Sequence, residues 1–305
     1  MRIVTALLFV GLILNGCQCI PGLGKKIVEV NIGEYSSLTG RFASFGINTH
    51  LGIQLALKET NAKEKDTGYH FKLVTIDDEG DEKKAGLAVE ELVRQKVVAI
   101  IGEVSSDLSI AGARVAQKHR VSMISPGSTS TKVTEVGEYI FRACFDDTFQ
   151  GTVMARFAFN DLKARKVAIL RAALSEYSIG LADSFVAKFR ELGGEILIDE
   201  KYKSGDLDFK SQLLKINTQK PEAIYVPGYY TEMGLIARQA RQLGIVDAKF
   251  LGGDGWDSAQ LYNIGEDAIN GAFFTNHFAI ENPEEKAKTF VASFRREYEL
   301  MPDAN

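Results

Sequence analysis

Hydroxyl side chains cluster in two loops that follow short apolar runs of the chain. One loop spans residues 102–107 and contains Ser106, and the other spans residues 125–130 and contains Ser128 and Thr129. Each loop precedes a helix-like or turn-like sequence, where hydroxyl and backbone N–H groups can hold a carboxylate without a buried cation. The same residue types also act as ordinary helix N-caps, so the sequence leaves both interpretations open.

A carboxylate that could bind a positively charged group lies farther along the chain. Asp254 is flanked by glycines directly after a strand-like run at residues 249–251. A carboxylate at a strand end could accept the ammonium group of a ligand, whereas the Gly-Asp-Gly setting also suits an Asx-turn. Tyr229 follows the strand-like run at residues 223–226 and could be either a surface cap or a core residue.

Catalytic and nucleic-acid-binding motifs are absent from the sequence. It contains no G-x-S-x-G elbow, no Walker loop and no G-x-G-x-x-G after the first strand. The net charge of −4, without long basic runs, argues against nucleic acid as a partner. We expect a binding protein that is not an enzyme and uses no cofactor or metal. Four histidines without metal-ligand or nucleophile-base spacing are predicted to be structural: His50, His70, His119 and His277.

The N-terminus has the pattern of an export signal. An apolar run at residues 3–14 is shorter than the roughly 20 residues of a membrane-spanning helix, which disfavours a transmembrane anchor. Residues 14–17 (Leu-Asn-Gly-Cys) resemble the bacterial lipobox. The resemblance implies that residues 1–16 are removed, that Cys17 carries a lipid and that residues 17–25 form a tether. An ordinary cleaved signal is the alternative.

Strand-like and helix-like segments alternate along the rest of the chain. A strand at residues 26–32 precedes a helical pattern at 47–59, and a strand at 166–170 precedes a helical pattern at 180–192. This alternation predicts parallel βαβ units and therefore an α/β fold. Because the pattern restarts near residue 147 and the chain is long, we predict two Rossmann-like lobes with parallel sheets, joined by a hinge.

Three separated motifs give the sequence a family resemblance. They span residues 32–46, residues 124–129 (Ile-Ser-Pro-Gly-Ser-Thr) and residues 228–234 (Gly-Tyr-Tyr-Thr-Glu-Met-Gly). In order and content they resemble the leucine/isoleucine/valine-binding class of type I periplasmic binding proteins, the substrate-binding components of branched-chain amino acid ABC importers. The implied fold has a truncated C-terminal part, because the elements with which the family completes lobe one are not found. The implied lobes are residues 26–146 plus 277–305 for lobe one and residues 147–276 for lobe two.

The resemblance also implies a polar set of ligand-binding residues. Ser106 and Thr129 would hold the ligand carboxylate, and the backbone carbonyl of Ser128 would face its ammonium group. Asp254 would pair with the ammonium, at a position where relatives carry the longer Glu. A zwitterion suits such a cleft, because a molecule lacking either charge would leave a buried polar group unpaired.

The implied aromatic walls of the cleft are Phe45 in lobe one and Tyr177 and Tyr229 in lobe two. From these features we expect an exported protein, in the periplasm or on the outer face of the cytoplasmic membrane, that touches the membrane through its N-terminal lipid alone. It would capture a small, branched-chain or aliphatic amino acid and deliver it to an ABC transporter permease. The alternative is a sensor of the same fold that binds amides, urea or another small solute and feeds a signalling partner.

Overall fold

Two five-stranded parallel sheets organise the protein, as seen in a computed structural model that describes residues 26–303. The first sheet contains β1 (Val28–Ser36), β2 (Tyr69–Asp77), β3 (Ala99–Ile101), β4 (Ser122–Ser125) and β5 (Ile140–Arg142). The second contains β6 (Lys166–Ala172), β7 (Glu195–Tyr202), β8 (Ala223–Tyr225), β9 (Lys249–Gly252) and β10 (Phe273–Phe274). The α/β fold with two parallel-sheet lobes is therefore confirmed.

The helices connect these strands as crossovers. Those of the first lobe are α1 (Ala43–Asn61), α2 (Glu64–Thr67), α3 (Glu82–Arg94), α4 (Ser106–His119) and α5 (Lys132–Glu135). Those of the second lobe are α6 (Asp147–Arg156), α7 (Glu176–Glu191), α8 (Lys210–Gln219), α9 (Tyr230–Gln242) and α10 (Ala259–Gly265). A π-helical segment, Phe157–Asp161, extends α6, and a 3₁₀ turn, Asp254–Trp256, follows β9.

Both sheets have the same strand order. The first runs β2-β1-β3-β4-β5 and the second runs β7-β6-β8-β9-β10, with every neighbouring pair parallel. In such a sheet the crossover direction reverses beside the first strand of the chain, which leaves a crevice at the carboxyl ends of the strands. The loops after β3 and β4 in one lobe, and after β8 and β9 in the other, lie at this edge.

The chain returns to the first lobe after the second sheet. Helix α11 (Glu285–Tyr298) packs on α1, where the Tyr298 hydroxyl donates a hydrogen bond of 2.8 Å to the carbonyl oxygen of Leu51. The exact limits of the lobes stay a prediction. Residues 1–25, with the predicted signal, lipidated Cys17 and tether, lie outside the described residues. Among the residues that are described, no helix is long and apolar enough to span a membrane.

Some element boundaries differ from the sequence-based expectation. Helix α1 begins at Ala43, four residues before the predicted start, and Phe45 in its first turn packs against Tyr230 of the second lobe. Gly46 permits this start, since a Cβ there would lie 2.1 Å from the carbonyl oxygen of Ser37. The alternating pattern predicts a final strand at residues 272–276, but only β10 (Phe273–Phe274) forms there, and α10 was not expected from the sequence.

Helices α6 and α7 approach each other closely at Gly151. A Cβ at Gly151 would lie 2.8 Å from the backbone nitrogen of Phe185 and 2.9 Å from the carbonyl oxygen of Leu181. Both contacts are with backbone atoms, so neither can be relieved by rotating a side chain. By contrast, a Cβ at Gly52 in α1 would meet nothing within 4 Å.

We expect Gly151→Ala to lower the free energy of unfolding by about 1–3 kcal/mol, because α6 and α7 must move apart. Gly52→Ala, as the matched control, is expected to raise it by about 0.5–1 kcal/mol, because alanine loses less backbone entropy in a helix. Urea denaturation of the two variants measures both changes. Equal effects of the two substitutions would contradict the packing argument.

Candidate ligand-binding site

Asp254 lies at the carboxyl end of β9 and is only 6% exposed. Its Oδ1 accepts hydrogen bonds from Gln150 Nε2 at 2.8 Å and from the Tyr177 hydroxyl at 2.9 Å. Its Oδ2 lies 2.9 Å from Nε2 of His277. Burial, followed by the charge of Asp254, raises the pKa of Tyr177 well above its usual value, so the phenol stays a hydrogen-bond donor. The carboxylate is therefore held in a fixed, buried position.

Aromatic rings connect this carboxylate to the other lobe. Tyr177 and Tyr229 stack with their centroids 5.0 Å apart and their planes at 27°. Tyr229 in turn contacts Phe42 at 4.7 Å and Phe45 at 6.2 Å, both from the first lobe. Phe45 also meets Tyr230 edge-on at 5.0 Å. The three predicted aromatic residues thus form one continuous cluster across the interlobe cleft.

The predicted hydroxyl residues lie on the first-lobe side of the cleft. Ser106 begins α4, and its Oγ accepts a 3.2 Å hydrogen bond from the backbone N–H of Ser130. Thr129 is buried, and its Oγ1 has no hydrogen-bond partner among the described residues. The side chain of the N-cap Ser105 does not cap α4 but lies 3.1 Å from the Tyr229 hydroxyl. The start of α4 therefore keeps its capacity to bind an anion.

Ser128 lies behind the hydroxyl residues on the first-lobe side of the cleft. Its hydroxyl donates to the carbonyl oxygens of Glu103 and Val104, both at 2.9 Å. Its own carbonyl oxygen accepts from Arg142 Nη1 at 3.1 Å and from Cys144 Sγ at 3.4 Å. The side chain of Ser128 thus holds the loop in shape, whereas a contact of its carbonyl with a ligand stays a prediction.

Hydrogen bonds of Glu103 connect three loops of the first lobe, which follow β1, β3 and β4. Its carboxylate accepts hydrogen bonds from the backbone N–H groups of Ser37 at 2.9 Å and Ser105 at 2.6 Å. Its carbonyl oxygen accepts from the hydroxyls of Ser109 at 2.8 Å and Ser125 at 2.6 Å, besides that of Ser128. Burial, and then the neighbouring carboxylate of Asp78, raise the pKa of Glu103 to about 8.

Direct hydrogen bonds hold the lobes together outside the aromatic cluster. Asp107 in α4 accepts from the Ser175 hydroxyl at 2.7 Å and from the Glu176 backbone N–H at 2.8 Å, at the start of α7. On another side of the cleft, the Ser258 hydroxyl donates to Ser44 Oγ at 2.8 Å. The described residues thus adopt a closed arrangement of the two lobes.

Sequence reasoning did not place Gln150, His277 or Glu103 at the site. Gln150 lies inside a helical pattern, and His277 was assigned a structural role because it lacks motif spacing. Only Glu103 had a usable signal, because it is an isolated charge within the apolar run at residues 97–104. In the described part of the chain, no group of three or more His, Cys, Asp or Glu side chains is arranged to hold a metal ion.

Comparison with known proteins assigns the family. Residues 29–305 match the family model of the periplasmic binding proteins. This chain belongs to the periplasmic binding protein family. The Leu/Ile/Val-binding protein BraC3 of Rhizobium johnstonii is 32% identical over 261 residues, or 85% of this chain and 71% of that protein. An amino acid binding protein of Pseudomonas aeruginosa is 34% identical over 270 residues, or 87% and 72%.

Solved structures are similar to this periplasmic binding protein as well. The leucine-binding protein LivK from Thermotoga maritima gives a TM-score of 0.86 at 38% identity, covering 90% of this chain and 78% of that one. LivJ from Streptococcus pneumoniae, crystallised with isoleucine, gives 0.84 at 32% identity, covering 91% and 79%. The resemblance to the leucine/isoleucine/valine-binding class and the type I fold are therefore confirmed.

The raised pKa of Glu103 predicts a pH-dependent stability. The unfolded carboxyl loses its proton near pH 4.5, whereas the folded one keeps it to about pH 8, so the unfolding free energy should fall as the pH rises through this range. Glu103→Gln should reduce this slope, and the exposed Glu138→Gln should not. Urea denaturation at several pH values measures the slope. A slope that Glu103→Gln leaves unchanged would argue against this role.

The two hydrogen bonds that Asp107 accepts at the start of α7, here called the Asp107 bridge, are expected to stabilise the closed arrangement of the lobes. Asp107→Ala removes two hydrogen bonds to a carboxylate and should reduce the population of closed molecules relative to open ones by about tenfold or more. Small-angle X-ray scattering should then report a larger radius of gyration. Asp66→Ala, at an exposed site on α2, is the control. Equal radii for both variants would show that the bridge does not hold the lobes closed.

Proposed function

We propose that this protein captures a small aliphatic amino acid between its two lobes and delivers it to an ABC importer. The observation that carries the proposal is the opposition of two complementary groups across one cleft. Asp254 supplies a buried carboxylate from the second lobe, whereas Ser106, at the start of α4, and Thr129, in the loop after β4, supply hydroxyls from the first. A zwitterion spanning the cleft would satisfy both ends, so its binding would favour the closed arrangement.

The walls of the cleft support an apolar ligand side chain. Phe45, Tyr177 and Tyr229 are all buried, and their rings line the path between the two polar ends. Aliphatic side chains gain from contact with such surfaces, at roughly 25 cal/mol for each Å² removed from water. A charged side chain would lose its hydration among these rings without a compensating partner.

The relatives support the same ligand class. BraC3 is named as a Leu/Ile/Val-binding protein, and LivJ, the substrate-binding protein of a branched-chain amino acid transporter, was crystallised with isoleucine. By this similarity, we propose the membrane permease of such a transporter as the partner of the closed form. We further propose that the chain is exported and attached by a lipid at Cys17, on the strength of the lipobox-like residues 14–17.

A thermal-shift screen against the standard amino acids, urea and short amides tests the proposal. Leucine, isoleucine or valine at about one hundred times its Kd should raise the unfolding midpoint by about 5–10 °C. Asp254→Asn should weaken this binding roughly 100-fold, because the ammonium loses its charged partner. Asp247→Asn, an exposed change far from the cleft, should leave binding unaltered.

The outcomes separate the ligand classes. If urea or an amide stabilises the protein and amino acids do not, the ammonium role of Asp254 is wrong and the protein is a receptor for an uncharged solute. If Asp254→Asn and Asp247→Asn bind leucine equally well, the charge at Asp254 does not contribute to recognition.

A further inference from the structure

Asp78 is a buried carboxylate of the first lobe that the ligand-binding site described above does not include. It directly follows β2 and is 0% exposed. Its Oδ1 accepts hydrogen bonds from the Ser37 hydroxyl at 2.7 Å and from the backbone N–H of Gly80 at 2.9 Å. Its Oδ2 has no hydrogen-bond partner among the described residues. Because an ionised oxygen at this position would have nothing to replace its hydration, burial favours a proton on Asp78 or on a group bonded to the same partner.

Ser37 connects Asp78 to a second buried carboxylate, Glu103. The Ser37 hydroxyl donates to Asp78, and the Ser37 backbone N–H donates a 2.9 Å hydrogen bond to Oε1 of Glu103. Ser37 is 0% exposed, and Glu103 is 1% exposed. The two carboxylates are therefore bonded to the same buried residue, directly after β1.

Acidic and neutral groups surround the two carboxylates. Burial raises the pKa of Asp78 above its usual value, and the charges of Asp77 and Asp81 raise it further. Tyr35 in β1 faces both carboxylates, and burial, followed by the charge of Glu103, raises the pKa of Tyr35 well above its usual value, so the phenol stays neutral. Since two buried carboxylates that lie close together cannot both ionise without a large cost, such a pair retains a proton.

The charged side chains on the adjoining elements have other partners. Lys84 in α3 pairs with Glu79 on the surface. Arg41, in the loop after β1, lies 3.8 Å from the carboxylate of Glu232 in the second lobe. Asp107 in α4 accepts its two hydrogen bonds from the start of α7. The repulsion within the buried pair is therefore left to be relieved by a proton.

The buried pair lies behind the first-lobe surface that faces the cleft. Glu103 accepts the backbone N–H of Ser105 at 2.6 Å, and the Ser105 hydroxyl lies 3.1 Å from the Tyr229 hydroxyl across the cleft. The Glu103 carbonyl oxygen accepts the hydroxyl of Ser128, the residue before Thr129. A displacement of Glu103 would therefore shift the start of α4 and the loop after β4 together.

We propose that Asp78 and Glu103 share one proton and, joined by Ser37, position the ligand-binding loops of the first lobe. The effect on binding rests on the proposed amino acid ligand. With its proton the pair carries a single negative charge. Without it, two like charges repel each other in a buried setting, which displaces the loops and adds negative charge behind the surface that would receive the ligand carboxylate. Because burial and the charge of Asp78 raise the pKa of Glu103 to about 8, the ligand affinity falls as the pH rises above that value.

Calorimetric titration with L-leucine at several pH values tests the proposal. Between about pH 7 and about pH 9 the affinity of the unmodified protein should fall by about tenfold, the limit for the loss of one proton. Asp78→Asn keeps the oxygen that Ser37 and Gly80 contact and places an uncharged amide at the unpartnered position. Glu103 then ionises without a like charge beside it, so the affinity of this variant should stay within about twofold over the same range.

Asp81→Asn is the matched control, because it removes an exposed charge three positions away and asparagine also caps helices well. Its leucine affinity should fall with pH as in the unmodified protein. The same fall in Asp78→Asn as in Asp81→Asn would overturn the proposal. An equal loss of affinity at every pH in Asp78→Asn would do so too, because it would reveal a structural role alone.

Urea denaturation tests the shared proton without any ligand. The folded pair keeps one proton that the unfolded chain loses, so the unfolding free energy should fall as the pH rises from about 5 to about 8. Asp78→Asn and Glu103→Gln should each reduce this slope to the same extent, and the double variant should reduce it no further. Additive reductions would overturn the shared proton. If the unmodified protein binds no amino acid at any pH, the proposed function is wrong together with the effect on binding, whereas equal slopes of the three variants would still support the pair.

Discussion

Burial of the Asp254 carboxylate is the constraint around which the second lobe is arranged. Taking a carboxylate out of water costs several kcal/mol unless hydrogen bonds replace its hydration. Gln150 from α6, Tyr177 from α7 and His277 after β10 meet this requirement together. The positions of two helices and of one chain crossing between the lobes therefore depend on a single side chain at the end of β9.

The first lobe offers hydrogen-bond donors to the carboxylate end of a ligand. Its loops present hydroxyl and N–H groups toward the cleft, and Glu103 holds the loops from behind with both its carboxylate and its backbone carbonyl. Because these bonds exist within the lobe itself, the loops are ordered before any ligand arrives. Such preorganisation lowers the entropy cost of binding.

Because the two sheets share one strand order, corresponding loops at their carboxyl ends border the cleft. The aromatic cluster of Tyr177, Tyr229 and Phe45 lies between these loops. The stacked Phe145 and His277 lie on the two segments by which the chain passes between the lobes. Because His277 also contacts Asp254, movement at the hinge and the surroundings of the carboxylate are connected.

The α/β class and the two parallel sheets could be predicted from the amino-acid sequence alone. Alternating apolar runs and helical patterns predict parallel strands, and residues just after such strands, including Ser106, Thr129 and Asp254, must lie at the carboxyl edge of a sheet. The ligand-binding roles of these residues stay predictions. The seven residues named from the sequence nevertheless lie at or directly behind one cleft.

The polar residues around Asp254 could be identified only from the packing of the folded chain. Gln150 lies 104 positions from Asp254 in the sequence, and His277 lies 23 positions from it. Whether such a side chain is solvated or buried depends on packing between elements that are far apart along the chain. Local pattern carries no information on that packing, which is why Gln150 and His277 could be placed beside Asp254 only from the folded protein.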